Sequence, residues 1–123
     1  MDSFTEAGMQ FVKLYPKDTL SEDLMYRMAG NQYSQQRFKH SAELLNRLIK
    51  EFPKGKRHVD ALLFLGNVYH DGLNDTANAR KAWQQLIIDH PESHLCNDAG
   101  FLIENIGANG EQLLEAARKK GGE

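Results

Sequence analysis

The sequence predicts an all-α protein in which pairs of antiparallel helices stack on one another. Apolar residues recur at the i, i+3, i+4 and i+7 spacing that places side chains on one helical face, and no segment alternates as a strand would. Prolines at positions 16, 53 and 91 lie 37 and 38 residues apart, and each follows a residue with a ring. A period of roughly 20 to 50 residues is typical of a solenoid of repeated helix pairs.

About seven helices follow from these patterns. The prolines end the first, third and fifth helices, because proline lacks the amide hydrogen that a helix interior needs. The predicted helices cover residues 1–16, 19–33, 38–52, 60–72, 75–90, 93–106 and 109–120. The third has the most regular apolar stripe, and the fourth and fifth form the central pair of the chain.

Local signals fix several predicted helix ends. Thr19 and Glu22 have the spacing of a capping box that opens the second helix. Gly72 is predicted to end the fourth helix, and Asp75 to cap the fifth. Small residues alternate with large ones in the central pair, which predicts a close helix crossing with Trp83 buried in it.

Composition limits the classes of protein that this chain can belong to. Its 123 residues suit one domain, 1–123, and an apolar fraction of 41% with 26% charged residues is ordinary for a globular protein. The net charge of −2, without a lysine or arginine block, gives no case for nucleic acid. No apolar run reaches the roughly 20 residues of a membrane span, and the first residues have no basic signal-peptide region. The single cysteine excludes an internal disulfide.

Short motifs mark the repeat and carry a family resemblance. Gly30-Asn-Gln-Tyr33 recurs as Gly66-Asn-Val-Tyr69, and the third unit has Glu104-Asn-Ile-Gly107 in that place. The second unit resembles the tetratricopeptide repeat at five positions, which are Gly66, Tyr69, Ala79, Trp83 and Pro91. The preceding unit matches at Gly30, Tyr33 and Pro53, whereas the third departs as an end-capping unit would.

The resemblance implies a right-handed α-α superhelix. It divides the chain into an N-terminal capping helix, two repeats and a degenerate C-terminal capping repeat, at residues 1–16, 19–53, 57–91 and 93–120. The long period and the proline ends resemble the bacterial cell-envelope subgroup, whose members include the Tol-Pal coordinator and outer-membrane assembly lipoproteins. This favours the periplasm or envelope if a signal has been removed, and the cytoplasm otherwise.

Three asparagines, Asn31, Asn67 and Asn105, are predicted to occupy the same place in successive first helices and to form a ladder along the concave groove. The resemblance implies that such amides hold the main chain of a bound peptide, which needs both donors and acceptors. The alternative is a structural role for the amides. Phe64 and Phe101 are predicted to share a repeat position, either as exposed contacts or as core. The full predicted groove comprises Arg27, Asn31, Gln35, Asp60, Phe64, Asn67, His70, Asp71, Phe101 and Asn105.

The sequence gives little support for catalysis or for metal binding. His90, His94, Cys96 and Asp98 form the one local cluster of metal-ligand types, but they lack the spacing of known motifs. We therefore predict no cofactor and no metal, and we expect His40 and His58 to be solvated. A metal hydrolase using this cluster is the remote enzyme alternative.

The sequence thus favours a non-catalytic module that binds a protein or peptide partner in its groove, as an envelope scaffold if the subgroup resemblance holds. The alternative is a self-associating subunit, joined through an open first-helix edge formed by Phe4, Phe11 and Val12. That edge either caps the array, continues into further repeats or pairs with another chain.

Overall fold

The computed structural model describes residues 2–106 and residue 118, and within this part of the chain it contains six α-helices and no strand. The helices are α1 (Ser3–Leu14), α2 (Thr19–Ser34), α3 (Phe38–Glu51), α4 (His58–Asn67), α5 (Thr76–Asp89) and α6 (Leu95–Glu104). The all-α prediction is confirmed. The predicted seventh helix lies outside the described residues, apart from the helical Arg118.

The helices form two layers of an α-α superhelix. Each helix packs against its neighbours in the chain, and α4 also contacts α6. The inner layer holds α2, α4 and α6, and Phe64 of α4 lies against Tyr26 and Tyr33 of α2. The outer layer holds α1, α3 and α5, which flank clefts floored by the inner helices.

The central pair is closed by one buried ring. Trp83 of α5 is 1% exposed, and its Nε1 donates to the carbonyl oxygen of Leu63 at 3.2 Å. A Cβ atom added to Gly66 would overlap that ring, so the absence of a side chain at this position lets α4 and α5 approach closely. The prediction that Trp83 lies in the crossing is confirmed.

The three proline-marked helix ends have the same geometry. Tyr15, Phe52 and His90 adopt φ/ψ values of −129°/61°, −125°/65° and −132°/59°, and each amide donates to the carbonyl four residues earlier. A residue before proline is forced out of the α region, which explains this shared departure from helical backbone. The same turn follows each proline, with amide-to-carbonyl bonds from Ser21 to Asp18, from His58 to Gly55 and from Cys96 to Ser93.

These turns correct the repeat register that the Gly-Asn motifs suggest. Because Ser21 corresponds to His58, Gly66 corresponds to Ala29 rather than to Gly30. The surroundings agree, since a Cβ atom at Gly30 would meet nothing within 4 Å whereas one at Gly66 meets the Trp83 ring. The first unit has one more residue between its proline and its glycine than the second. Matching the two glycines was therefore wrong by one residue.

Two predicted caps have different outcomes. The cap of α2 is Asp18, whose side chain accepts from the Leu20 amide at 2.9 Å, so the Thr19 capping box is wrong. Glu22, the other half of that box, is 1% exposed and accepts from the Arg57 amide at 2.9 Å. Asp75 caps α5 as predicted and accepts from the Asn78 amide at 3.1 Å.

The end of the fourth helix differs from a simple α-helical stop. Helical backbone ends at Gly72 as predicted, but its last part, Val68–Gly72, is a π-helical turn. The Leu73 amide donates to the Val68 carbonyl at 3.1 Å, and Asn74 then adopts a positive φ of 53°. Asparagine tolerates this left-handed backbone better than most residues, which explains how the chain turns into α5 here.

Candidate functional site

An aromatic cluster lies at the centre of the inner layer. It consists of Tyr26, Tyr33 and Phe64, with the Phe64 ring centroid 6.0 Å from that of Tyr26 and 5.4 Å from that of Tyr33. All three are half-buried and pack on the core. Phe64 therefore combines both roles considered from the sequence, since it supports the helix packing and still presents part of its ring.

Phe101 does not share the repeat position of Phe64. His58 and Cys96 are equivalent in the turns before α4 and α6, which pairs Phe64 with Leu102. The sequence pairing was wrong by one residue here as well. Phe101 is half-buried on α6.

Arg57 organises the charges beside the aromatic cluster. Its guanidinium donates to Asp23 Oδ1 at 2.9 Å, lies 3.8 Å from Asp60 and covers the Tyr26 ring at 5.0 Å. The hydrogen bond with Asp23 raises the pKa of Arg57, and burial together with the nearby Asp60 raises the pKa of Tyr26. Asp60 was predicted from the sequence, but Arg57 was missed, because its partners on α2 lie more than 30 residues away in the chain.

The amides near the end of α2 hold the start of α1. Asn31 Nδ2 donates to Asp2 Oδ1 at 3.0 Å, and Gln35 Nε2 donates to Asp2 Oδ2 at 3.0 Å. Asp2 caps α1, and its hydrogen bond from the Thr5 amide is the largest cause that holds the pKa of that carboxyl well below its usual range. Asn31 thus has the structural contacts that the alternative interpretation describes. Arg27 is exposed, with its guanidinium 5.8 Å from the Phe4 ring.

The other two asparagines have different surroundings. Asn105 donates to the Phe101 carbonyl of its own helix at 2.8 Å. Asn67 is half-buried at the end of α4, and its side-chain amide has no hydrogen-bond partner among the described residues. Beyond it, His70 Nδ1 lies 2.8 Å from Asp71 Oδ1, and the His70 ring lies 5.9 Å from that of Trp83. Asn67 is therefore the predicted amide best able to accept a new partner.

With the corrected repeat register, the three asparagines no longer occupy equivalent positions. Asn67 and Asn105 remain equivalent, but Asn31 corresponds to Val68, which is buried. One residue around a helix is about 100°, so Asn31 faces a different direction from Asn67 relative to its own unit. The three amides therefore do not form one regular row.

His90 pairs with the buried His58 rather than with the other residues of the cluster considered for metal binding. His58 Nδ1 lies 2.7 Å from His90 Nε2, and Cys96 Sγ donates to the His90 carbonyl at 2.9 Å. His94 and Asp98 are exposed, and no group of three metal-ligating side chains converges within the described part of the chain. The expectation of a solvated His58 is wrong, because this residue is 4% exposed at the turn between two units. Burial lowers the pKa of His58, and the neighbouring His90 lowers it further. His40 is exposed.

Comparison with known proteins identifies the repeat. No curated protein matches the chain. The family model described as tetratricopeptide repeat matches residues 23–55 and 60–93, which together make up more than half of the chain. Such repeats are generally protein–protein interaction modules and generally non-catalytic. Within the described residues, no helix is long and apolar enough to cross a membrane. With two matched repeats and two layers of paired helices, the chain belongs to the tetratricopeptide repeat family.

Proposed function

We propose that the chain is a non-catalytic interaction module that holds a partner peptide or helix against its inner layer. The observation that carries this proposal is the half-buried Asn67 amide, which has no partner among the described residues and is three residues from Phe64 on α4. A main-chain peptide group offers one donor and one acceptor, as the amide does, and a half-exposed ring adds apolar contact.

The charges of the predicted groove indicate what kind of partner it suits. Arg27 stands at one end, whereas Asp60 and Asp71 lie farther along, so neither sign dominates. Arg57 is already paired with Asp23 and stacked on Tyr26. A free C-terminal carboxylate would need several unpaired cations, and a segment bound through its main chain is the better fit.

The test uses peptides selected from a random display library on the full chain, with affinity measured by fluorescence anisotropy. We expect Asn67→Ala to weaken the selected peptides by roughly threefold to tenfold, the value of one hydrogen bond. Asn46→Ala is the matched control, since Asn46 is an exposed amide on the outer helix α3. If Asn67→Ala binds as tightly as the unaltered chain, or if no peptide is selected, the proposal is refuted.

Alanine variants of the three asparagines are expected to differ in whether they affect peptide binding or stability. The Asn31, Asn67 and Asn105 triple alanine variant is expected to weaken peptide binding, mainly through the loss of the Asn67 amide. Asn31→Ala alone is expected to act mainly on stability, because it removes a contact with the Asp2 cap. Circular dichroism melts and the anisotropy assay separate these two effects.

Self-association through α1 is the second candidate, and exposed rings on that helix and at its C-terminal cap favour it. Phe4 is 39% exposed and Tyr15 is 53% exposed, with the half-buried Phe11 ring 4.9 Å from that of Tyr15. Val12 does not belong to this edge, because it is fully buried in the core. Light scattering of the chain and of the Phe4→Ser, Tyr15→Ser double variant tests the candidate. A mass that stays monomeric at every concentration contradicts it.

The role in the bacterial envelope and the bounds of the repeats are also part of the proposal. A scaffold role in the bacterial envelope is what the subgroup resemblance implies. The division into a capping helix (1–16), two repeats (19–53 and 57–91) and a capping repeat (93–120) is supported by matched repeats that overlap the two central units.

A further inference from the structure

The three proline turns lie along one edge of the superhelix, which we call the turn edge. Each of them joins an outer helix to the next inner helix, so the chain reverses on the same side each time. The first two turns are in contact, since Glu22 at the start of α2 accepts from the Arg57 amide of the second turn at 2.9 Å. Asp23 also accepts from the Arg57 guanidinium at 2.9 Å. Side chains of these two turns therefore share one surface.

Exposed lysines concentrate on the first two turns of this edge. None of them has an ion-pair partner among the described residues, and they are Lys13, Lys17, Lys50, Lys54 and Lys56. The carboxylates beside them are already engaged within the protein. Asp18 caps α2, Glu51 is paired with Arg47, and Glu22 and Asp23 hold the second turn. The positive charge of the surface is therefore left for a partner.

The charge of the chain is divided unevenly along its length. Residues 13–57 contain ten of the fifteen lysines and arginines, but five of the seventeen aspartates and glutamates. The net charge of −2 thus combines a basic segment with an acidic remainder. The third turn has Asp89 and Glu92 close to its proline and no lysine or arginine, so the basic surface ends at the second turn. A surface of this kind suits an anionic partner.

Large apolar side chains project from the first turn among these lysines. Leu14 is 70% exposed, Tyr15 is 53% exposed and Leu20 is 47% exposed. The turn is tight, because the Tyr15 carbonyl accepts from the Asp18 amide and from the Ser21 hydroxyl. In the second turn, charged residues occupy the places of the two leucines, which are Glu51 and Arg57. The first turn thus exposes apolar surface that the repeat does not require.

We propose that the first two turns of the turn edge bind the surface of an anionic lipid membrane. The lysine ammonium groups would meet lipid phosphates, and Leu14, Tyr15 and Leu20 would enter the boundary between headgroups and acyl chains. Tyrosine is enriched at that boundary, and lysine stems lie along apolar surface while their charges stay in water. A membrane adapts to a projecting turn, whereas a protein partner would need a matching pocket. The contact is peripheral and requires no membrane-spanning helix.

The first test is sedimentation of the full chain with lipid vesicles. One set consists of phosphatidylcholine alone, and the other of equal parts phosphatidylcholine and phosphatidylglycerol. We expect binding to the anionic vesicles, weakened by added salt, and little binding to the neutral ones. If the chain does not bind the anionic vesicles at low salt, the proposal is overturned.

Charge variants locate the contact on the chain. The Lys54→Gln, Lys56→Gln double variant is expected to weaken vesicle binding by roughly 20-fold, since each lysine near such a surface contributes about fivefold. Arg37→Gln, Lys39→Gln is the matched control, because it removes the same charge at exposed residues before and at the start of α3. That helix has 14 residues and is about 20 Å long, roughly two Debye lengths, so the control is expected to bind within about twofold of the unaltered chain. Equal losses in the two variants would overturn the assignment to the turn edge.

Apolar variants distinguish a membrane from a soluble acidic polymer. Leu14→Ser, Leu20→Ser is expected to weaken vesicle binding by at least about tenfold, since both leucines lose their apolar contact. Ile88→Ser is the control, at an equally exposed residue of the third unit, and is expected to keep the binding. Circular dichroism checks that each variant is folded.

The outcome for the leucine variant decides the kind of partner. If it binds anionic vesicles as tightly as the unaltered chain, the membrane is overturned as the partner. Titration with poly-glutamate and with a DNA duplex then shows which soluble polyanion the lysines hold. The leucine substitutions leave Phe4 and Tyr15 unchanged, so loss of vesicle binding is distinct from a loss of self-association through α1.

Discussion

The largest loss of stability is predicted for a substitution at the crossing of α4 and α5. Trp83 is almost fully buried against Gly66, and its Nε1 is bonded to the Leu63 carbonyl. Trp83→Ala is expected to lower the free energy of unfolding by about 3–5 kcal/mol, as large core truncations do. Urea denaturation followed by circular dichroism measures it, since the variant loses the fluorophore.

The reciprocal change tests the geometry directly. A Cβ atom at Gly66 would collide with Trp83 ring atoms, so Gly66→Ala is expected to cost roughly 1–3 kcal/mol through overpacking. Gly30→Ala is the matched control, because its Cβ atom would enter open space and alanine favours the helix by about 1 kcal/mol.

A double-mutant cycle isolates the contact between these two residues. In a Trp83→Phe background the smaller ring leaves room, and the cost of Gly66→Ala is expected to shrink. Two results would refute the crossing: equal effects of Gly66→Ala and Gly30→Ala, or a Trp83→Ala loss below about 1 kcal/mol.

Two further predictions concern buried polar groups. Because folding lowers the pKa of His58, this side chain takes up a proton at a higher pH in the unfolded chain than in the folded one. The free energy of unfolding is therefore expected to stay constant above about pH 6.5 and to fall as the pH drops below it. The opposing charges of Asp89 and Glu22 moderate this effect, and thermal melts from pH 7.5 to 5 are expected to vary less for His58→Gln than for His40→Gln. Ser41→Ala is expected to cost about 1 kcal/mol, because the buried Ser41 hydroxyl donates to the Ala29 carbonyl at 2.8 Å. Chemical denaturation checks this value against Ser34→Ala, which removes an exposed hydroxyl and is expected to change stability by less than about 0.5 kcal/mol.

The helices and their order could be predicted because two signals depend only on nearby residues. The apolar spacing of α3 determines which face is buried, and Leu45 and Leu48 are fully buried there. The residue before each proline must leave the α region, so the helix ends at Tyr15, Phe52 and His90 follow from local sterics. Neither signal requires knowledge of a distant partner.

The predictions that were wrong concern residues whose surroundings are set by a contact with a distant part of the chain. Gly30 and Gly66 are each followed by an asparagine and, three residues on, by a tyrosine, yet of the two only Gly66 is enclosed by a ring from the following helix. Glu22 had the spacing for a local cap, but the Arg57 amide, 35 residues away, takes its carboxylate. His58 looked solvated among polar neighbours and is buried against His90 in the next unit. A single sequence does not reveal such partners.

Residues that depart from the repeat pattern are better candidates for partner binding than residues that follow it. Residues that follow the repeat pattern, such as Leu45 and Trp83, are buried in the core, where a partner has no access to them. Gln32 departs from it, because the corresponding residue of the next unit, Tyr69, is an aromatic ring. The Asn67 side-chain amide has no hydrogen-bond partner among the described residues, and it lies where α4 gives way to a π-helical turn. Such turns are frequent at functional sites. Binding is expected where a residue departs from the local pattern without a compensating contact, and the proposal for Asn67 rests on such a position.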